Sequence, residues 1–153
     1  DLNRFTGKER YAGFLAGCKH FGLPVSDDLI FDGRQYLFAE GEKVAGFIKQ
    51  MSDPPTAILC ASDTLAIGLM KGLLNHGIRV PEDISIMGFD DIRMAAQIFP
   101  ALTTVAQDKQ TIGKRAAEKL IDQINNPHQQ VEAIMVDGMI IERQTVLDLT
   151  KKQ

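Results

Sequence analysis

From Lys8 to Phe21 the apolar residues Tyr11, Phe14, Leu15, Cys18 and Phe21 recur at spacings of three and four, a stripe along one helical face that Gly22 and Pro24 end. Leu29 to Phe31 is a short apolar run before Asp32 and Gly33 and reads as a first strand, and Val44, Phe47, Ile48 and Met51 repeat the helical stripe. Pro54 and Pro55 then separate that helix from Thr56 to Ala61, a β-prone run too short for a helix. Ser62 and Asp63 follow as capping residues, with Asp63 the expected N-cap. Leu65, Ile67, Leu69, Met70, Leu73 and Leu74 surround nearly the whole of the next helix, which predicts heavy burial up to Gly77. A proline-initiated acidic turn leads into Ile84 to Phe89, the third strand, which stops by delivering Asp90 and Asp91.

After Pro100 the texture changes. Leu102 to Gln107 is extended, and Ile112, Ala116, Leu120, Ile121 and Ile124 form another helical stripe closed by Asn125, Asn126 and Pro127. Two β-prone runs, Val131 to Val136 and Met139 to Ile141, flank Asp137-Gly138, which on local grounds signals a hairpin. Strands alternating with helices through short loops predict an α/β fold, a parallel sheet with helices on both faces. In such a sheet the carboxyl ends of the strands line the ligand crevice, so Asp90 stands where a small molecule would sit.

Composition narrows the function. The chain has 153 residues, 44% hydrophobic and 24% charged, enough for one globular domain with an ordinary core. Its 17 basic and 20 acidic residues sum to −3 without a basic block, so this chain alone is not expected to grip nucleic acid. Cys18 and Cys60 lack CxxC spacing, which fits a reducing, cytoplasmic setting without a disulfide framework. No apolar run reaches membrane-spanning length and no signal peptide is visible, although a chain that begins at Asp1 reads as a fragment. No dinucleotide-binding GxGxxG, phosphate-cradling GxxxxGK, GxSxG elbow or HExxH helix can be written, which lowers the enzyme reading and points to no cofactor or metal.

Four segments, in order, resemble the lactose-repressor and galactose-repressor family of bacterial transcription regulators: RYAGF from Arg10 to Phe14, PTAILCASDTLAIG from Pro55 to Gly68, GIRVPEDISIMGFDD from Gly77 to Asp91, and PALTTVAQ from Pro100 to Gln107. A fifth, IERQT from Ile141 to Thr145, is a weaker match. The resemblance implies a periplasmic-binding-protein-like (type I) effector core of two α/β subdomains joined by three chain crossings, of which this chain is the C-terminal half. Residues 1–102 and 139–149 would form the second subdomain, 150–153 a tail, and 103–138 a crossover strand, helix and strand that normally pack on the first. The DNA-binding headpiece would lie upstream of Asp1. The Asp137-Gly138 hairpin is then overruled, since its flanking strands would lie in different subdomains. Without the first subdomain, four large side chains of the 112–124 stripe lose burial worth about 1.5–3 kcal/mol each. That segment is expected to pack in another way, to pair with a second copy, or to stay mobile.

The same resemblance nominates effector-binding residues. Arg10 falls at the RxxGF arginine, whose rigid fork suits a hydroxyl pair or heterocycle edge. Asp90 is its counterpart, a carboxylate accepting from sugar or nucleoside hydroxyls, with the capping of the next helix assigned to Asp91 or shared between the two. Thr6 stands four residues before the arginine, where relatives often present a hydroxyl to ligand, but Thr6-Gly7-Lys8-Glu9 also reads as a capping box. Ser62 replaces an asparagine that contacts effector in many members, with a shorter reach. Tyr36 or Phe38 would supply the aromatic that stacks on the effector ring, or either is core. Residues 92–100 and the helix from Thr64 to Asn75 match regions relatives use for dimer contacts. The leading reading is the effector-sensing and dimerising part of a cytoplasmic repressor, not an enzyme, binding sugar- or nucleoside-like molecules. A periplasmic sugar-binding transport receptor of the same fold and a doubly wound enzyme are the alternatives.

Overall fold

The computed structural model describes residues 5–33, 35–130 and 132–148. The densest part of the molecule is the contact between helix α2, Phe38–Gln50, and helix α3, Asp63–Asn75. Their backbones touch: a Cβ on Gly41 would lie 2.1 Å from the Leu65 carbonyl oxygen, and one on Gly68 would lie 2.0 Å from that of Phe38. Glycine at both positions is therefore a steric requirement of the helix pair. Ala45 and Ile48 of α2 and Leu65, Ala66, Leu69 and Leu73 of α3 fill the contact and are buried. Leu74, counted on sequence as part of the buried circumference, points away and is 74% exposed.

Helix α3 lies against a four-stranded sheet in the order β1-β2-β3-β4, formed by Ala57–Leu59, Ser85–Phe89, Thr103–Gln107 and Gly138–Ile141. The first three strands are parallel, with Ile58 opposite Ile86 and Gly88 opposite Thr104. The fourth is antiparallel to β3, with Val105 opposite Ile140, so the sheet expected to be parallel is mixed. β3, which begins the 103–138 segment, is thus hydrogen-bonded into this sheet. Beyond β4 the chain returns to the core, where the buried Thr145 hydroxyl donates to the Ile86 carbonyl (2.6 Å) and accepts from the Thr103 amide (2.9 Å).

Two sequence expectations change, the Leu29–Phe31 strand and the burial of the α1 stripe. Leu29 to Phe31 is not a strand: Asp27–Leu29 forms a 3-10 turn, closed by Leu29 N–H to Ser26 O at 3.0 Å and Ile30 N–H to Asp27 O at 3.1 Å. The backbone bonds of that turn are made within the segment itself, and a three-residue apolar run is too short to outcompete them. The Asp137-Gly138 hairpin, signalled locally but overruled by the family resemblance, does not form: 132–137 is irregular and Gly138 pairs with Gln107. The apolar stripe of helix α1, Phe5–His20, stays largely uncovered, with Leu15 36% and Phe21 77% exposed, since the helix meets the sheet chiefly through Arg10. Helix α4, Lys109–Asn125, has no buried residue, and Leu120, Ile121 and Ile124 are 62%, 57% and 68% exposed.

Candidate functional site

β2 is a short buried strand whose last residue, Phe89, hands the chain to two consecutive aspartates in left-handed conformations, Asp90 at φ 106° and Asp91 at φ 45°. Each costs about 1–3 kcal/mol in a residue with a Cβ, so the surrounding bonds must hold them. Those bonds converge from four directions. The Asp90 amide donates to Val105 O at 2.9 Å, extending the β2–β3 ladder by one residue. The Lys109 ammonium, at the start of α4, donates to the carbonyl oxygens of both aspartates. Arg143 places Nη2 2.7 Å from Asp91 Oδ1 and Nη1 2.8 Å from Leu102 O. From beneath, the Asp63 carboxylate accepts from the Ile92 amide (2.8 Å) and the Thr104 hydroxyl (2.5 Å).

Arg10 reaches this turn from α1. Its Nη2 donates to Asp90 Oδ1 at 2.8 Å, its Nη1 donates to Ala61 O, and its guanidinium lies 4.0 Å from the centre of the Phe89 ring. The two residues singled out on sequence, eighty positions apart, are therefore in direct contact. Their side chains are 19% and 29% exposed, which leaves both accessible to a solute. An ion pair of that exposure contributes at most about 1 kcal/mol to stability. Chemically the pair is both donor fork and acceptor, with a cation–π contact orienting the fork.

The remaining candidates divide. Thr6 is exposed, lies within the first turn of α1 and, four residues before Arg10, shares its face. Tyr36 adopts φ 54° and packs against the core, and its buried hydroxyl oxygen has no hydrogen-bond partner among the described residues. Phe38 opens α2 and packs on the core beneath Lys71, which lies 5.3 Å from its ring. Ser62 is buried, and its hydroxyl caps α3 by accepting from Leu65 N–H at 3.3 Å. The N-cap is thus Ser62, not Asp63, and the hydroxyl expected to face ligand is engaged in the helix start. Asp91 is not a helix cap either: Ile92 precedes the 3-10 turn Arg93–Ala96 and the Asp91 carboxylate is turned to Arg143. Lys109, Arg143 and Asp63 were not singled out as site residues, because their partners lie 18 to 52 positions away.

Burial pushes the Asp63 carboxyl above its ordinary range, against the hydrogen bonds from Thr104 and Ile92 that lower it, and the charges of Asp90 and Asp91 add to the rise. Burial, with Asp63 nearby, pushes the Cys60 thiol up to about 12, so it is an unreactive core group at neutral pH. Among the described residues no cluster of His, Cys, Asp and Glu is suited to a metal, and no helix is long and apolar enough to cross a membrane.

Residues 3–146 match the periplasmic binding protein-like domain. The HTH-type transcriptional repressor PurR of Vibrio cholerae serotype O1 (strain M66-2) is 39% identical over 144 residues, which is 94% of this chain and 43% of that protein. The chain thus spans less than half the length of the curated relatives it matches. A LacI-type transcription regulator from Bifidobacterium animalis subsp. lactis superposes with a TM-score of 0.85 at 26% identity, over 93% of this chain and 51% of that one. A LacI family transcriptional regulator from Lactobacillus casei with bound sucrose superposes at 0.78 and 27% identity, over 92% and 51%. A strand end that presents an aspartate to an arginine from the first helix thus sits in a chain that is similar in sequence and fold to part of the PurR and LacI-type regulators, and the chain belongs to the periplasmic binding protein-like domain family.

Proposed function

We propose that this chain is the effector-sensing and dimerising part of a bacterial, cytoplasmic transcriptional repressor, that it binds a hydroxyl-rich sugar or nucleoside-like molecule, and that it catalyses no reaction. The observation that carries the reading is the solvent-reachable Arg10–Asp90 pair at the carboxyl end of β2, clamped over Phe89. A ligand hydroxyl can donate to the carboxylate while a neighbouring oxygen accepts from the guanidinium, an arrangement that discriminates against molecules lacking the hydroxyl because the charged pair would then be desolvated without partners. Thr6, on the Arg10 face of α1, adds a hydroxyl to the proposed contact set. The sucrose seen in the Lactobacillus casei relative is of this chemical class.

In this reading the ligand is enclosed by a second α/β subdomain of the same polypeptide, and the uncovered side chains of α4 and of β4, where Met139 and Ile140 are 64% and 62% exposed, pack on it. Phe99, 91% exposed, with Met94 and Leu74, forms the face that meets a second copy. DNA is held by a headpiece elsewhere in the regulator, and ligand changes its grip through differential affinity for two arrangements of the subdomains. A thermal-shift screen of the full-length protein against ribose, sucrose, adenosine and hypoxanthine tests the class. A ligand at a hundredfold excess over its Kd adds about 2.7 kcal/mol of stability. No shift with any sugar or nucleoside would overturn the proposal.

A further inference from the structure

The consecutive left-handed aspartates raise a question that ligand contact does not answer: what keeps Asp90 aimed at Arg10. Asp90 sits at φ 106° and Asp91 at φ 45°, conformations that a released turn would leave. Asp90 itself is bound laterally by Arg10, but Asp91, which sets the direction of the turn, does not touch Arg10 in any bond described above. Its carboxylate is instead gripped by Arg143, from the segment that follows β4. The grip is rigid because three bonds fix that arginine's own position. Its amide donates to Thr103 Oγ1 at 2.9 Å, its Nη1 to Leu102 O at 2.8 Å, and its Nη2 to Asp91 Oδ1 at 2.7 Å. Its side chain is 18% exposed, so the pair is largely shielded from water. On the other side of the turn, the Ile92 amide is fixed by Asp63.

We infer that Arg143 is a positioning residue for effector recognition: by bridging Asp91 to the Leu102 carbonyl it holds the Asp90–Asp91 turn in its left-handed form and so presents the Asp90 carboxylate to Arg10 and to ligand. A guanidinium is required because two acceptors, one in the turn after β2 and one just before β3, must be met by one planar fork, which an ammonium cannot span. Arg143 has a second consequence. It lies just beyond β4, so a movement of that connection pulls directly on the residue beside Asp90, and an occupied Asp90 in turn resists it.

The inference rests on the reading that Asp90 meets the ligand, and its test separates the two. Full-length wild type, Arg143→Lys and Arg143→Gln are compared by hydrogen exchange of the amides of Asp90, Asp91 and Ile92, and by calorimetric titration with sucrose, ribose, adenosine and hypoxanthine. The glutamine variant should exchange about tenfold faster at these amides, with α2 and α3 unchanged, and the lysine variant should fall between. For a ligand that wild type binds, affinity should drop about tenfold, and in an Asp90→Asn background the glutamine change should add no further loss, which a merely structural role would not produce. Unchanged exchange at the turn, or an additive loss in the double variant, overturns the positioning role. A wild type that binds none of the four ligands counts against the sensor reading for those classes, and the exchange comparison then decides the role of Arg143 alone.

Discussion

Gly88 is the position at which the internal support of the site can be broken most cleanly. A Cβ there would lie 2.2 Å from Asp63 Oδ1 and 2.8 Å from Leu102 Cδ2. Comfortable contact needs about 3.5 Å, so in Gly88→Ala the Asp63 carboxylate must retreat by about 1 Å or more. That carboxylate is fully buried and bridges the Thr104 hydroxyl and the Ile92 amide, so retreat stretches both bonds. Overpacking a core costs about 1–3 kcal/mol, and each hydrogen bond to a charged group about 1.5–3 kcal/mol. Partial relaxation keeps these from adding in full, which gives an expected loss of about 3 kcal/mol. Urea denaturation should show a lower midpoint at unchanged slope. In an Asp63→Ala background the carboxylate clash is absent, and the cost of the alanine should fall to about 1 kcal/mol, the residue of the Leu102 contact. A loss below about 0.5 kcal/mol in the wild-type background, within the range of neutral surface changes, would refute the account of Asp63 as the strut beneath the Asp90–Asp91 turn.

Other expectations follow from the same geometry. The Asp63 carboxyl is raised in the folded state, chiefly by burial, so the native protein binds that proton more tightly than the unfolded chain does, and its contribution is greatest at pH below the ordinary value of 3.8 and is lost as pH rises through the folded value. Asp63→Asn, which can accept from Ile92 and donate to Thr104, should therefore gain stability relative to wild type as pH climbs from about 4 to 7; parallel denaturation curves across that range would contradict the shift. With its thiol near 12, Cys60 should resist iodoacetamide at neutral pH while the half-buried Cys18 is modified, as peptide mapping of the native protein would read out. Ile124→Lys should alter the stability of the isolated 153-residue chain by less than about 0.5 kcal/mol, since the side chain is 68% exposed, yet destabilise the full-length regulator by about 2–4 kcal/mol. Equal effects in both would remove the proposed covering of α4.

Where one element's pattern carried its own packing, the sequence was a good guide. The apolar circumference of α3 and the run from Ile84 to Phe89 became the buried helix and central strand, and the strand end brought Asp90 to an edge where Arg10 meets it. Where the outcome depended on what lies opposite, periodicity misled. The stripe of α4 is plain in the sequence, yet the helix has no buried residue, because a stripe records only that a face is apolar and not what covers it. Asp63 shows the same limit at one residue. Beside Ser62 at a helix start it reads as a cap, and only the fold brings Thr104 and Ile92, 41 and 29 positions on, to its carboxylate. Phe38 and Tyr36, alternatives on sequence for one ring contact, both pack against the core but differ in backbone setting. The first lies at the start of α2, against Gly68; the second is held at φ 54° with an unsatisfied hydroxyl.

The central claim is that Arg10 and Asp90 together grip a small molecule. Calorimetric titration of the full-length regulator with the strongest ligand from the thermal screen tests it most directly, using wild type, Arg10→Ala and Asp90→Ala, with operator affinity measured in the absence of ligand as the control for folding. Loss of each charged contact from a desolvated site is worth about 2–5 kcal/mol, so both substitutions should weaken ligand binding by about thirtyfold or more and leave ligand-free operator affinity unchanged. Unaltered ligand affinity in both variants would contradict the account.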